Sequence, residues 1–521
     1  MSRPRRALLV GWDGATWDVL DPLLAAGRLP HLAEVLRTGF RTTLRSTVPA
    51  VTPAAWTAIA TGCGPGTTGV LGFRHLDLRR PGGYSPQLAG SADLRGRTLF
   101  EYAAQQGIGV ASLAFPMTWP PFPIEDGVLL SGWPRPETPR APVLPASLQE
   151  RFGPWAPGPQ RAADPELTGD GQRDPVRAAR ERDGRTHRAA LQVLSERADA
   201  LVAVVYQGTD HVAHRFWGTS ALDDYVVQVD AWLGELLAAA GPDTAVVLAS
   251  DHGFGPAPTQ TVHLGRALRA AGLLHLSGGP RGQAVRHVRE GVSTGVRKRL
   301  RDRMPGAVRR WAWERSQGLD RLDPRTRVVR VPLYGAWDGL VVQVRGRQRG
   351  GSVDPANWAR VREQARDLVF GLRDSTGPLV TACWRREELW VGPRVADLPD
   401  LVVELREDCV CGGLLDAGPV VTPRAAPPGE GSHRRAGVVA GGGPGLGRGG
   451  VAPMEPQDVL PTLLATLGLA VPEAVQGRAR ADVLTAPPPA PESGRIRAPG
   501  ASSADGGRRA IEASLAELGY L

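Results

Sequence analysis

The chain has 521 residues, of which 42% are hydrophobic and 22% charged. It is too long for one core to stay single and too ordinary in composition for a disordered or membrane class. Its net charge of +9 favours anionic substrates and surfaces. The charge is almost all arginine, Lys298 being the only lysine, and no recognition motif accompanies it, so a nucleic-acid partner is not expected.

The basic start, Met1 to Arg6, leads into an apolar run that Asp13 breaks too early for a signal peptide. No stretch reaches the roughly 20 apolar residues of a spanning helix. The expectation is therefore a soluble cytoplasmic protein. Short β-rich runs then alternate with helical patterns: Ala7–Trp12, Ile108–Ala114, Ala200–Tyr206, Thr244–Ala249 and Ala436–Ala440. That alternation predicts an α/β fold with a parallel sheet covered by helices. Between the first two runs, Thr52 and Pro53 precede a helical stretch, Ala54–Thr61, that Gly62 ends; Thr52 reads as its N-cap, with proline in the first helical position.

Residues 263–397 form a stretch rich in Arg and Trp that reads as an inserted cap, with a strand-like run at Leu340–Val344. Within it Val285, Val288, Val292, Val296, Leu300, Val308 and Trp311 recur at helical spacing among arginines. That pattern fits a solvated basic helix face packed on the core, a lid over an anionic substrate, or a membrane-surface contact. Residues 1–262 and 398–483 are left as the catalytic core, 484–508 as a Pro/Ala/Gly/Ser-rich linker, and 509–521 as a short docking segment. The four cysteines, Cys63, Cys383, Cys409 and Cys411, imply no disulfide framework, and the Cys409/Cys411 pair is too small for a structural zinc site.

Aspartates follow three of the strand-like runs: Asp13 directly, Asp210 and Asp251 within a few residues. Ligand sites of open α/β sheets lie beyond the carboxyl ends of the strands, so residues far apart in the chain can meet there. His214 in Thr-Asp-His-Val-Ala-His, His252 in Ser-Asp-His-Gly and His433 in Gly-Ser-His-Arg complete a set of three carboxylates and three imidazoles. Such a set suits a divalent metal, Zn²⁺ first and Mn²⁺ as the alternative. A helix start favours a bound phosphate, and a hydroxyl such as that of Thr52 becomes a competent nucleophile when a metal lowers its pKa. Beside these, His211 is expected to face solvent, with an outer contact to the site as the alternative, and Trp56 is expected either to stack on a leaving group or to belong to the core.

These motifs resemble the alkaline phosphatase superfamily, and within it the type I phosphodiesterase/nucleotide pyrophosphatase-like branch of bacterial phosphohydrolases and phosphomutases. The resemblance runs through Leu9-Val10-Gly11-Trp12-Asp13-Gly14, Val51-Thr52-Pro53-Ala54-Ala55-Trp56-Thr57, Asp210 to Trp217, Ser250 to Gly253, Pro399-Asp400-Leu401-Val402-Val403, Asp458 to Gly468 and the terminal Leu518-Gly519-Tyr520-Leu521. It implies an alkaline phosphatase-like three-layer sandwich with a mostly parallel central sheet. Asp13, Thr52, Asp251 and His252 would then surround one metal, and Asp210, His214 and His433 the other. It further implies hydrolysis of a small phosphorylated substrate, diester or monoester, through a phosphothreonine on Thr52.

Two alternatives stay open at this stage: a phosphomutase or phosphotransferase using the same site, and a non-catalytic phosphate-binding relative. Phe73, ending Thr68-Gly69-Val70-Leu71-Gly72-Phe73, stands where the resembling pyrophosphatases carry a phosphate-holding asparagine, so diester preference does not follow from the resemblance. Sulfatase chemistry is set aside, because Cys63-Gly64-Pro65-Gly66-Thr67 is in the wrong place for a Cys-x-Pro-x-Arg motif and lacks its arginine. Oligomeric state and substrate identity have no signature in the chain.

Overall fold

The computed structural model describes residues 4, 6–79, 83–94, 98–132, 143–152, 174–197, 200–277 and 322–489. These form two compact units. One comprises residues up to 73, 89–257 and those from 426 onward; the other comprises 74–88 and 258–425. The Val285–Trp311 pattern, most of the linker and the C-terminal docking segment lie outside the described residues.

The first unit is organised by strands too apolar to face water. They are β1 (Arg6–Trp12), β2 (Phe40–Arg45), β3 (Gly109–Phe115), β4 (Gly127–Ser131), β5 (Val143–Leu144), β6 (Ala200–Tyr206), β7 (Thr244–Ala249), β8 (Ala436–Gly442) and β9 (Gly449–Gly450). They form one sheet in the order β9-β2-β8-β7-β1-β6-β3-β4-β5. Its five central members, β7-β1-β6-β3-β4, run parallel. Residues of β1, β3 and β7 are buried throughout, as strands covered on both faces must be. Alternation along β1 shows the layering. Leu8, Val10 and Trp12 pack on one side with Ala190, Val229 and Leu233 from the helices α2 (Pro175–Glu196) and α4 (Ser220–Ala240). Ala7 and Leu9 pack on the other with Trp56, Ile59 and Ala60 of α1 (Thr52–Thr61) and with Leu460 and Leu463. Each fully buried Leu or Val contributes about 1.5–3 kcal/mol. The fold is thus the expected three-layer α/β sandwich around a mostly parallel sheet.

Polar groups fix where the helices end. Arg6, buried at the start of β1, donates to the C-terminal carbonyls Leu194 O at 3.1 Å and Ala240 O at 3.2 Å, a cation placed at two negative helix ends. The helix Pro30–Thr38 begins after Leu29, which has no capping side chain. Asp230 of α4 takes that role, accepting from His31 N at 3.2 Å and Leu32 N at 2.8 Å.

The second unit is built on a four-stranded antiparallel sheet ordered Val328–Tyr334, Trp337–Val342, Leu401–Leu405, Val380–Arg385. The helix Trp358–Phe370 lays Val361, Ala365 and Val369 against it. Two expectations are corrected here. The strand expected at Leu340–Val344 spans Trp337–Val342, and Leu401–Leu405, assigned to the catalytic core, is instead an inner strand of this unit, so the first unit resumes at 426 rather than 398. Apolar content alone does not say which sheet a strand joins. Asp400 explains the Pro-Asp-Leu-Val-Val run: buried, it accepts from Val342 N at 2.8 Å, Arg347 Nη1 at 2.8 Å and Trp358 Nε1 at 3.1 Å, tying strand, loop and helix together. Cys383, Cys409 and Cys411 are free thiols, and no described helix is long and apolar enough to cross a membrane.

Candidate active site

The candidate site forms in the first unit where β7, β1 and β6 end side by side. Asp13 follows β1 directly. Asp210 and His214 lie one turn apart on α3 (Gly208–Phe216), which follows β6, and Asp251 and His252 follow β7. His433 arrives on Gly431–Arg434, which pairs antiparallel with Gly253–Pro256 and sets His433 opposite Phe254. Gly14 permits the crowding: it has φ +69°, and a Cβ there would lie 3.2 Å from Asp210 Cα and 3.1 Å from the Phe254 ring.

All seven residues named from the chain meet here. His252 Nε2 is 3.3 Å from Asp251 Oδ2, 3.8 Å from Asp13 Oδ1 and 3.4 Å from Thr52 Oγ1. His433 Nε2 is 3.2 Å from Asp210 Oδ1, His214 Nε2 is 3.5 Å from the same oxygen, and the two nitrogens are 3.0 Å apart. His252 also lies 3.9 Å from Asp210 Oδ1 and stacks on His433 with ring centroids 3.7 Å apart, so the two clusters adjoin. His252 borders both groups.

The imidazole tautomers follow from their outer contacts. His252 Nδ1 is 3.1 Å from Gly253 O and His433 Nδ1 is 3.1 Å from Ala50 O. A carbonyl only accepts, so each Nδ1 carries the proton and each Nε2 presents a lone pair inward, the arrangement of a metal-ligating histidine. Asp13 Oδ1, Asp251 Oδ2 and Asp210 Oδ1, all buried, point into the same space without a hydrogen-bond donor. Burial, then the charges of Asp251 and Asp210, pushes the Asp13 carboxyl well above its ordinary range. Burial likewise raises Asp251. His433 is driven down to about 3, chiefly by burial, and is neutral. Lone pairs facing carboxylates are mutually repulsive unless a cation lies between them. The residues present fit divalent ions, with Asp13, Asp251 and His252 as one group of donors and Asp210, His252 and His433 as the other.

Thr52 departs from expectation in one respect. Val51 is the N-cap and Thr52 the first residue of α1, whose start has no side-chain capping bond. The first intrahelical bond already runs from Ala55 N to Val51 O, and the Thr52 hydroxyl turns to His252 instead. For Trp56 the core reading holds. It is fully buried, edge-on to Phe115, and donates Nε1–H to Asp13 Oδ2 at 3.1 Å, so it orients a carboxylate rather than stacking on a leaving group. Trp56→Phe is expected to weaken divalent-ion binding about 10–100-fold with the fold retained, as an outer-shell loss does. Competition against a chelator measures this, and unchanged affinity would show the bond to be without consequence. His211, expected to face solvent, instead meets Arg182 Nη1 at 2.7 Å through Nδ1. Burial and that guanidinium hold its pKa down at about 3. Arg182 and Trp56 had no local signal as partners of the site, because the contacts span 29 and 43 residues.

A parallel sheet whose carboxyl edge gathers three carboxylates and three imidazoles beside a threonine at a helix start defines an alkaline phosphatase-like α/β enzyme. Over residues 7–411 the chain matches the model of the family described as type I phosphodiesterase / nucleotide pyrophosphatase, and it belongs to that family. It is an enzyme of the phosphoric ester hydrolase class. No curated protein matches the chain. Among solved structures, phosphonoacetate hydrolase from Sinorhizobium meliloti in complex with phosphonoformate is similar at 16% identity and TM-score 0.55, over 88% of this chain and 98% of that one. Human ectonucleotide pyrophosphatase/phosphodiesterase 5 is similar at 12% identity and TM-score 0.53, over 92% of this chain and 100% of that one. At such identities the likeness establishes the fold.

Proposed function

We propose that this chain hydrolyses a small phosphate ester, diester or monoester, through a phosphothreonine on Thr52. In this reading Asp13, Thr52, Asp251 and His252 hold one divalent ion and Asp210, His214 and His433 a second, Zn²⁺ or Mn²⁺. The observation that carries it is the convergence of three donorless, buried carboxylate oxygens on unprotonated imidazole nitrogens, with the Thr52 hydroxyl 3.4 Å from one of them. Bound there, the ions supply Lewis-acid stabilisation of the ionised hydroxyl and of the phosphoryl oxygens. Thr52 Oγ1 forms the new bond to phosphorus as the bond to the leaving oxygen breaks, and water then cleaves the phosphothreonine. The positive end of α1 favours the substrate's negative charge, and burial of Thr52 restricts competing water.

Small phosphorus oxyanions are the substrate class in keeping with the phosphonoformate complex of the bacterial relative. A cytoplasmic location belongs to the same reading, in keeping with the free thiols of Cys383, Cys409 and Cys411. Phe73 offers no hydrogen-bond donor, so the reading covers both ester types. Turnover of an aryl phosphodiester and of the matching monoester by metal-loaded protein tests it. A diester excess identifies a phosphodiesterase, a monoester excess a phosphatase-like site, and turnover of neither overturns the proposal.

A further inference from the structure

The helix α3 carries two of the proposed metal ligands, Asp210 and His214, yet has no N-terminal cap of its own: Gln207 precedes it without a side-chain capping bond. The missing acceptor comes from α2. Asp183 Oδ2 accepts from Gly208 N at 2.7 Å and from the Tyr225 hydroxyl of α4 at 2.7 Å. One buried carboxylate thus joins three helices and sets a negative charge at the positive end of α3. Its other oxygen accepts from Arg182 Nε at 3.0 Å, and Arg182 Nη1 reaches His211 Nδ1, the neighbour of Asp210 in the chain, at 2.7 Å. Arginine only donates, so Nδ1 accepts and the ring proton sits on Nε2. Both members of the ion pair are almost fully enclosed, with side-chain exposures of 4% and 2%. The packing leaves no slack, since a Cβ on Gly208 would lie 1.9 Å from the Tyr225 oxygen and 2.8 Å from Asp183 Oδ2. The far end of α3 is tied as well, Trp217 N donating to Gly429 O at 2.7 Å two residues before the strand that bears His433.

We propose that Asp183 and Arg182 are positioning residues for the second metal: touching neither metal nor substrate, they fix the start of α3 and hence the placement of Asp210 and His214 against His433. A buried ion pair is in general a poor source of stability, and this one is spent on the geometry of a helix that begins at the site. The inference rests on the two-ion reading of the preceding subsection.

Full-length protein loaded with Co²⁺ or Zn²⁺ tests it. Asp183→Asn keeps an acceptor for Gly208 but removes the counter-charge of Arg182 and turns an amide N–H toward it. One of the two ions is expected to bind at least about tenfold more weakly in chelator competition, with the cobalt spectrum changed for that ion and retained for the other. Tyr225→Phe, which loses one bond at nearly constant volume, is expected to shift the same ion in the same direction by less. A merely structural brace would instead lower the melting temperature of the metal-free protein and leave both affinities and the cobalt spectrum as in wild type; that result in Tyr225→Phe, or in a folded Asp183→Asn, overturns the proposal. Should Asp183→Asn not fold, Tyr225→Phe decides alone. A wild-type chain that binds no metal removes the two-ion reading and this inference with it, whereas two tight ions in wild type and variants alike remove this inference only.

Discussion

Thr52→Ala is expected to reduce turnover by roughly ten-thousand-fold or more while leaving about two divalent ions in place, the size of loss that follows deletion of a nucleophile acting as one unit with its activating groups. The hydroxyl is buried at the first position of α1, free of any capping bond and 3.4 Å from His252 Nε2. Since no capping interaction is lost, the variant should melt within about 1 kcal/mol of the wild type. Rapid-quench or mass measurements on the wild type should show a chain heavier by one phosphoryl group, and the variant should not show it. Full activity in Thr52→Ala would move the nucleophile elsewhere, whatever the metal content.

Removal of divalent ions is expected to abolish activity and to destabilise the protein together, with both restored by Zn²⁺ or Mn²⁺. The physical reason is the crowding at the strand ends. Asp13, Asp210 and Asp251 are buried in one place, three of their oxygens lack donors, and burial, then the neighbouring carboxylate charges, already raises the Asp13 carboxyl. A ligand at a thousandfold its dissociation constant stabilises the folded state by about 4 kcal/mol, which for a unit of this size is a rise in melting temperature on the order of 10 °C. Elemental analysis and thermal unfolding with and without chelator measure both effects. A protein that carries no metal and melts alike in either condition would refute the two-ion reading.

What the chain determined by itself was local. Runs such as Leu8-Leu9-Val10 and Ala245-Val246-Val247-Leu248 are too apolar to lie anywhere but inside a covered sheet, so the α/β class and the central strands were legible from burial alone. Asp13, Asp210 and Asp251 could be picked out because each follows such a run, and His214, His252 and His433 because each sits in a short polar motif nearby. Tertiary structure alone decided the partnerships. Leu401–Leu405 is as apolar as its counterparts in the first unit, and only hydrogen bonding to Trp337–Val342 and Val380–Arg385 puts it in the second. Trp56 orients Asp13 across 43 residues, and Asp183 holds the start of α3 across 25. Periodicity and turn signals report what one segment buries, whereas a ligand's orientation depends on groups brought close by the packing of the whole unit, and that information is not present in any window of the chain.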